Sequence, residues 1–380
     1  MANAAASEIG APESGPVDVP LARVDAELNR RLKDARSDSR EPAHRVRMSN
    51  LIIYCDDSEK MCSAEPLVPE IVANHPARVL LLLADPAGSN GGDVKASVLV
   101  RQVDGDRRLV SEQITLRAEG GAVDKLPFVV RSLLIGDLPT NLWWASETPP
   151  PTAGPILDEL AEQAEQFLYD SLGWADPNHA IARTSTWLGK FERDPSGGRW
   201  RVASDVNWRR LKFWRRVLTQ GLDPASAPGL LADISEVVIE HGPHSVAQAW
   251  SVAGWLASRL GWTYQASKLR PNVEIAFRFQ APRGQVTLKI DRLAEGPSEI
   301  RRVRVSAGPG GNLGVLEFAS EEGNRLSVTP QGVAVAPRTV TVQPQKLAEL
   351  VARQLSDREP DPVFRESMKV AQQLARHLEG

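Results

Sequence analysis

A chain of 380 residues with 42% apolar and 24% charged side chains has the profile of a folded protein long enough for two cores of ordinary size. Its 45 basic and 48 acidic residues leave a formal net charge of −3. That balance excludes global attraction to a polyanion, and nucleic-acid binding is not expected.

Two cysteines, Cys55 and Cys62, are too few for a disulfide scaffold and read as inert thiols of a reducing compartment. No apolar run approaches the roughly 20 residues that cross a bilayer, so no membrane association is expected. The N-terminus lacks the basic and apolar regions of a signal peptide, which leaves the cytoplasm as the expected location. Residues 1–44 read as an Ala/Ser/Gly/Pro-rich disordered tail over 1–20, a short helix at 21–35 and a charged connector.

From residue 48 the pattern becomes strand, helix, strand. MSNLIIYC at 48–55 and VLLLLA at 79–84 read as buried strands, with Ser58 placed to cap the helix between them. Near-continuous apolar strands alternating with helices predict an α/β fold: a mainly parallel, Rossmann-like sheet with helices on both faces. Residues 94–103 and 109–118 alternate in polarity and predict an antiparallel or edge pair.

Helices are expected at 124–134, 156–164 and 178–191, and strands at 140–146, 167–170 and 234–240. A turn falls at 194–198, Ser204 is placed to cap a helix reaching 220, and Pro243 opens a helix reaching 260. Beyond 268, short alternating stretches such as VEIAFRFQ and QVTLKIDRL predict an antiparallel sheet, and two helices at 344–355 and 362–377 end the chain. The expected units are an α/β domain at 45–265 and a smaller C-terminal α+β domain at 268–380.

The chemistry-bearing motifs are few. No GxGxxG follows the first strand and no GxxxxGK[ST] occurs, so the phosphate-cradling loops of nucleotide enzymes are missing. AGPGGNLG at 307–314 lies between strands and reads as a hairpin turn. His241 and His244 lack the further ligands of a zinc site. One constellation remains: acids at the carboxyl ends of the expected strands, namely Asp56 and Asp57, Asp85, Glu147, Asp170 and Glu240. Such acids could hold a metal ion or a sugar phosphate, or serve as turn formers and helix caps.

In the stretch SDVNWRRLKFWRRVLTQG, Trp208, Leu211, Trp214 and Leu218 make an apolar stripe for core packing. Arg209, Lys212 and Arg216 lie on a neighbouring face that could dock an acidic protein surface.

DLPTNLWWASETPP at 137–150, FLYDS at 167–171, SDVNWRRLKFWRRVLTQGLDP at 204–224 and AGWLASRLGW at 253–262 resemble, in order and spacing, the glucose-6-phosphate dehydrogenase assembly protein (OpcA) family. Trp143, Trp144, Trp208 and Trp214 are the structural signature of that likeness. The resemblance implies a non-catalytic assembly factor or allosteric activator that binds glucose-6-phosphate dehydrogenase and supports the oxidative pentose phosphate pathway, with no cofactor and no catalytic residues to carry over. The expected contacts are Arg209, Lys212, Arg216 and the loop of Glu147, Thr148 and Pro149. The alternative is an enzyme or sensor that binds a sugar phosphate or metal at Asp56, Asp57, Asp85 and Asp170. Adjacent strand residues point to opposite faces, so Trp143 and Trp144 are expected to anchor different helical layers.

Overall fold

The computed structural model describes residues 15–37, 44–89, 92–103, 109–152, 154–174, 176–192, 201–270, 273–308 and 311–379. The tail expected at 1–20 lies outside them over 1–14, as do residues 38–43 of the connector and the turn expected at 194–198.

The first sheet follows from its apolar runs. β3 (Ser49–Cys55), β4 (Ala77–Asp85), β7 (Thr140–Trp144) and β8 (Gln166–Tyr169) are buried almost throughout. With β6 (Leu109–Glu119) and β9 (Val202–Asp205) they form six parallel strands in the order β6-β4-β3-β7-β8-β9. This is the order of a Rossmann sheet, in which the chain starts at the centre and winds outward in both directions. β5 (Lys95–Val103) adds antiparallel to β6, as the alternating pattern predicts.

β1 (Val17–Val19) adds to β5 and β2 (His44–Arg45) to β6. The first of these corrects the disorder expected over the end of the tail: Val19 packs against the core, and that burial offsets the cost of ordering a short edge strand.

Helices cover both faces. α1 (Val24–Ser37), α4 (Leu126–Leu133), α5 (Pro155–Ala161) and α6 (Pro177–Phe191) share one core with Ile52, Leu80, Trp144 and Phe167. α2 (Ser58–Ala64), α3 (Val68–Asn74) and α10 (Leu347–Ser356) share the other with Leu51, Ile53, Val79 and Trp143. The two tryptophans therefore serve different layers.

The second sheet has eight strands: β11 (Thr263–Arg270), β12 (Glu274–Ala281), β13 (Gly284–Arg292), β10 (Ile234–His241), β14 (Ile300–Ala307), β15 (Gly314–Glu321), β16 (Arg325–Gln331) and β17 (Arg338–Thr341), in that spatial order. All neighbours are antiparallel except β10 and β13. Phe277, Leu288, Val237, Val303 and Phe318 point to a core completed by α9 (Val246–Arg259) and α11 (Pro362–Glu379). The expected hairpin at 307–314 joins β14 to β15, with Ala307 opposite Gly314.

Two placements differ from the sequence reading. The strand at 234–240, which the sequence reading includes in the α/β domain, is β10 and pairs inside the second sheet. α10 was expected beside the second sheet and instead closes the far face of the first, where Leu350, Val351 and Leu355 fill the space beside α3. No helix among the described residues is long and apolar enough to cross a membrane.

Candidate functional site

In an open sheet of this winding, ligands sit beyond the carboxyl ends of the strands where the order reverses. Here that point lies past β3 and β7. β3 ends at Cys55, a buried thiol that burial pushes up to about 12. Asp57, not Ser58, caps α2: its carboxylate accepts from the Lys60 backbone N–H at 2.7 Å. Asp56 accepts from the Ser146 hydroxyl and from Thr148 Oγ1 at 3.0 Å, tying the turn after β3 to the loop after β7. That loop is held further by Trp144 Nε1, which donates to the Thr148 carbonyl at 3.0 Å while the indole stacks on Tyr54 at 4.0 Å. Lys60 pairs with Glu147.

A dinucleotide needs glycines at this turn and free N–H groups at the following helix to meet its pyrophosphate. Residues 56–59 are Asp, Asp, Ser and Glu. The Lys60 N–H already has an acceptor in Asp57, and the Lys60 side chain is paired with Glu147. These residues do not fit a dinucleotide.

The other expected acids are dispersed. Asp85 closes its own turn by accepting from Ala87 N at 3.1 Å. Asp170 makes a bidentate pair with Arg210 at 2.6 and 2.7 Å. Glu240, carried by β10 into the second sheet, faces Arg302 at 3.6 Å. Among the described residues no three His, Cys, Asp or Glu side chains group closely enough to hold a metal ion.

The expected basic helix is two helices, α7 (Val206–Arg210) and α8 (Lys212–Gly221), broken at Leu211. Ser204 is the penultimate residue of β9, and the cap is Asp205, one residue later. Trp208, Leu211, Trp214 and Leu218 are buried, as the stripe requires. The basic residues divide. Arg209 is committed internally, to Gln354 at 2.7 Å and Asp357 at 2.7 Å. Arg215 lies 3.5 Å over the Trp208 ring. Lys212 and Arg216 are exposed, with no hydrogen-bond or ion-pair partner among the described residues. Glu147 lines a cleft with Trp174, His241 and Arg292, whereas Arg209 and Lys212 line a separate hollow against Asp357 and Phe364.

The sequence reading missed a buried polar chain. Asp205 accepts from Ser171 N at 3.1 Å, Ser171 Oγ at 2.6 Å and Asn207 N at 2.8 Å. Asn207 donates to Ser171 Oγ and accepts from Gln248 on α9, whose own oxygen accepts from Ile300 N at the start of β14. Burial pushes the Asp205 carboxyl up to about 7, with Asp170 adding to the rise. The chain links the edge of the first sheet to the second through fully paired polar groups, which fixes their relative position. An acid directly before the Val-Asn-Trp helix start was the available signal, read one residue too early.

Fold and crevice together define a protein on the dinucleotide-binding framework whose phosphate turn is occupied by its own carboxylates. Residues 68–186 match the family described as the glucose-6-phosphate dehydrogenase subunit N-terminal domain, and residues 201–368 match the corresponding C-terminal domain. The chain belongs to this family, that of the OpcA proteins.

A relative from Synechocystis sp., bearing the name OpcA and a place in the OxPP cycle, is 24% identical over 63% of this chain and 49% of its own length. One of the same name from Nostoc punctiforme is 29% identical over 52% of this chain and 40% of its own. The chain thus spans about half or less of these relatives.

Among solved structures, an oxidoreductase from Sinorhizobium meliloti aligns over 88% of this chain and 98% of its own, with 14% identity and a TM-score of 0.51. A super-repressor mutant of Gal80p from Saccharomyces cerevisiae covers 88% and 96%, with 8% identity and a TM-score of 0.50. These two share the fold alone.

Proposed function

We propose that the chain is a non-catalytic partner of glucose-6-phosphate dehydrogenase, one that promotes its assembly and activates it allosterically within the oxidative pentose phosphate pathway. Family membership names the enzyme. The observation that carries the non-catalytic part is the crevice past β3 and β7, where Asp56, Ser146 and Thr148 bond to one another and Asp57 caps α2.

Activation requires the chain to bind the active form of the dehydrogenase more tightly than the inactive one, since equal affinity shifts nothing. A tenfold effect needs a difference of only about 1.4 kcal/mol. Lys212 and Arg216, one turn apart on α8, and the loop of Glu147, Thr148 and Pro149 are the contacts this reading assigns. Arg209 is removed from that set because Gln354 and Asp357 hold it.

Sedimentation of the purified dehydrogenase with and without the chain tests the reading. A joint species, weakened several-fold by K212E/R216E without loss of thermal stability, is expected. Independent migration of the two proteins at micromolar concentration contradicts it.

A further inference from the structure

Beside the loop after β7 lies a second surface, a groove of about 480 Å³. Its lining includes Pro150 and Pro151, Arg183, Trp187 and Lys190 of α6, and Arg376 of α11. We infer that this groove receives an acidic segment, carrying an apolar side chain, of the partner protein. The inference rests on the proposal that the partner is glucose-6-phosphate dehydrogenase.

The charge is unbalanced. Among the described residues Asp158 is the one acid lining the groove, and it already accepts from Trp187 Nε1 at 2.8 Å. Arg183 and Lys190 are exposed and have no hydrogen-bond or ion-pair partner among the described residues, while Arg376 meets only the Thr186 hydroxyl, at 3.2 Å. Arg183 and Lys190 are seven positions apart, hence about 10 Å along the helix. About three residues of an extended chain span the same distance. The spacing therefore matches carboxylates separated along an extended peptide.

The floor between the cations is apolar and fixed. Trp187 packs edge-on to Phe167 at 4.8 Å and stacks on Phe191 at 5.5 Å. Pro150 is buried and follows the loop already tied by Trp144 and Asp56. A surface held this way loses little entropy on binding, and an indole flanked by cations is a common anchor for a partner's apolar side chain.

The test measures binding of the purified dehydrogenase to the full chain and to its R183E/K190E and R183Q/K190Q variants, at about 50 and about 300 mM NaCl. Thermal melts report whether each variant is folded. The expected result is a loss of at least about tenfold at low salt for the double Glu variant, an intermediate loss for the double Gln variant, and a weaker salt dependence in both. Both substitutions replace exposed side chains, and the neutral pair supplies the answer should charge reversal disturb folding. Unchanged affinity in folded variants overturns the groove's role while leaving the proposed function standing. Failure of the unaltered chain to bind overturns that function, and the groove's role with it.

Discussion

Trp144 stacks on Tyr54 and donates to the Thr148 carbonyl, while Trp143 lies in the opposite core with its Nε1 buried and unpaired among the described residues. Replacing either with Phe removes similar apolar bulk. Only W144F breaks a hydrogen bond, and W143F also relieves an unsatisfied donor, so W144F is predicted to cost about 1–2 kcal/mol more in chemical denaturation. Equal losses would contradict this.

Asp205 sets a pH dependence. Its folded pKa of about 7 lies above the ordinary 3.8, so the folded state binds the proton more tightly. The stability this group contributes is complete below about pH 4 and drains away as the pH rises through about 7. Asp205→Asn keeps an acceptor for the Ser171 and Asn207 N–H groups and removes the titration. Its melting temperature should fall less than the unaltered chain's between those pH values, and an unchanged slope would remove Asp205 as the source.

At the scale of elements, α9 crosses α11 so closely that a Cβ on Gly254 would lie 2.4 Å from the Ser367 carbonyl oxygen. Alanine is the better helix former by about 1 kcal/mol. The clash is with backbone, however, so Gly254→Ala is predicted to destabilise by a net 1–3 kcal/mol or so, measured by denaturant midpoint. A stabilised variant would show that the helices have room.

Most elements were legible because their signals are local: LIIYC and VLLLLA are buried on both faces and read as continuous apolar runs. Sheet membership is not local. ISEVVIE marks a strand, but its partners are β13 and β14, which lie about 50 and 70 residues downstream, and nothing in its own residues names them. The apolar face of α10 likewise predicts burial without saying which sheet it covers. Asp56, Asp57 and Glu147 were visible as acids at strand ends. The bonds of Asp56 with Ser146 and Thr148, and the pairing of Glu147 with Lys60, depend on loops that meet only in the fold.

The whole molecule has a Rossmann-type framework in which the turn after β3 is hydrogen-bonded by its own Asp56 and Asp57. NADP at millimolar concentration is therefore predicted to leave the melting temperature unchanged; a saturable rise would mean that the Asp57-capped turn admits a pyrophosphate after all.

The kcat, KM and sedimentation coefficient of glucose-6-phosphate dehydrogenase should be measured across a titration with this chain at fixed ionic strength. The account predicts a saturable change in kcat/KM that accompanies a larger species at a defined stoichiometry. Kinetic constants and sedimentation that stay flat to saturating amounts would contradict it.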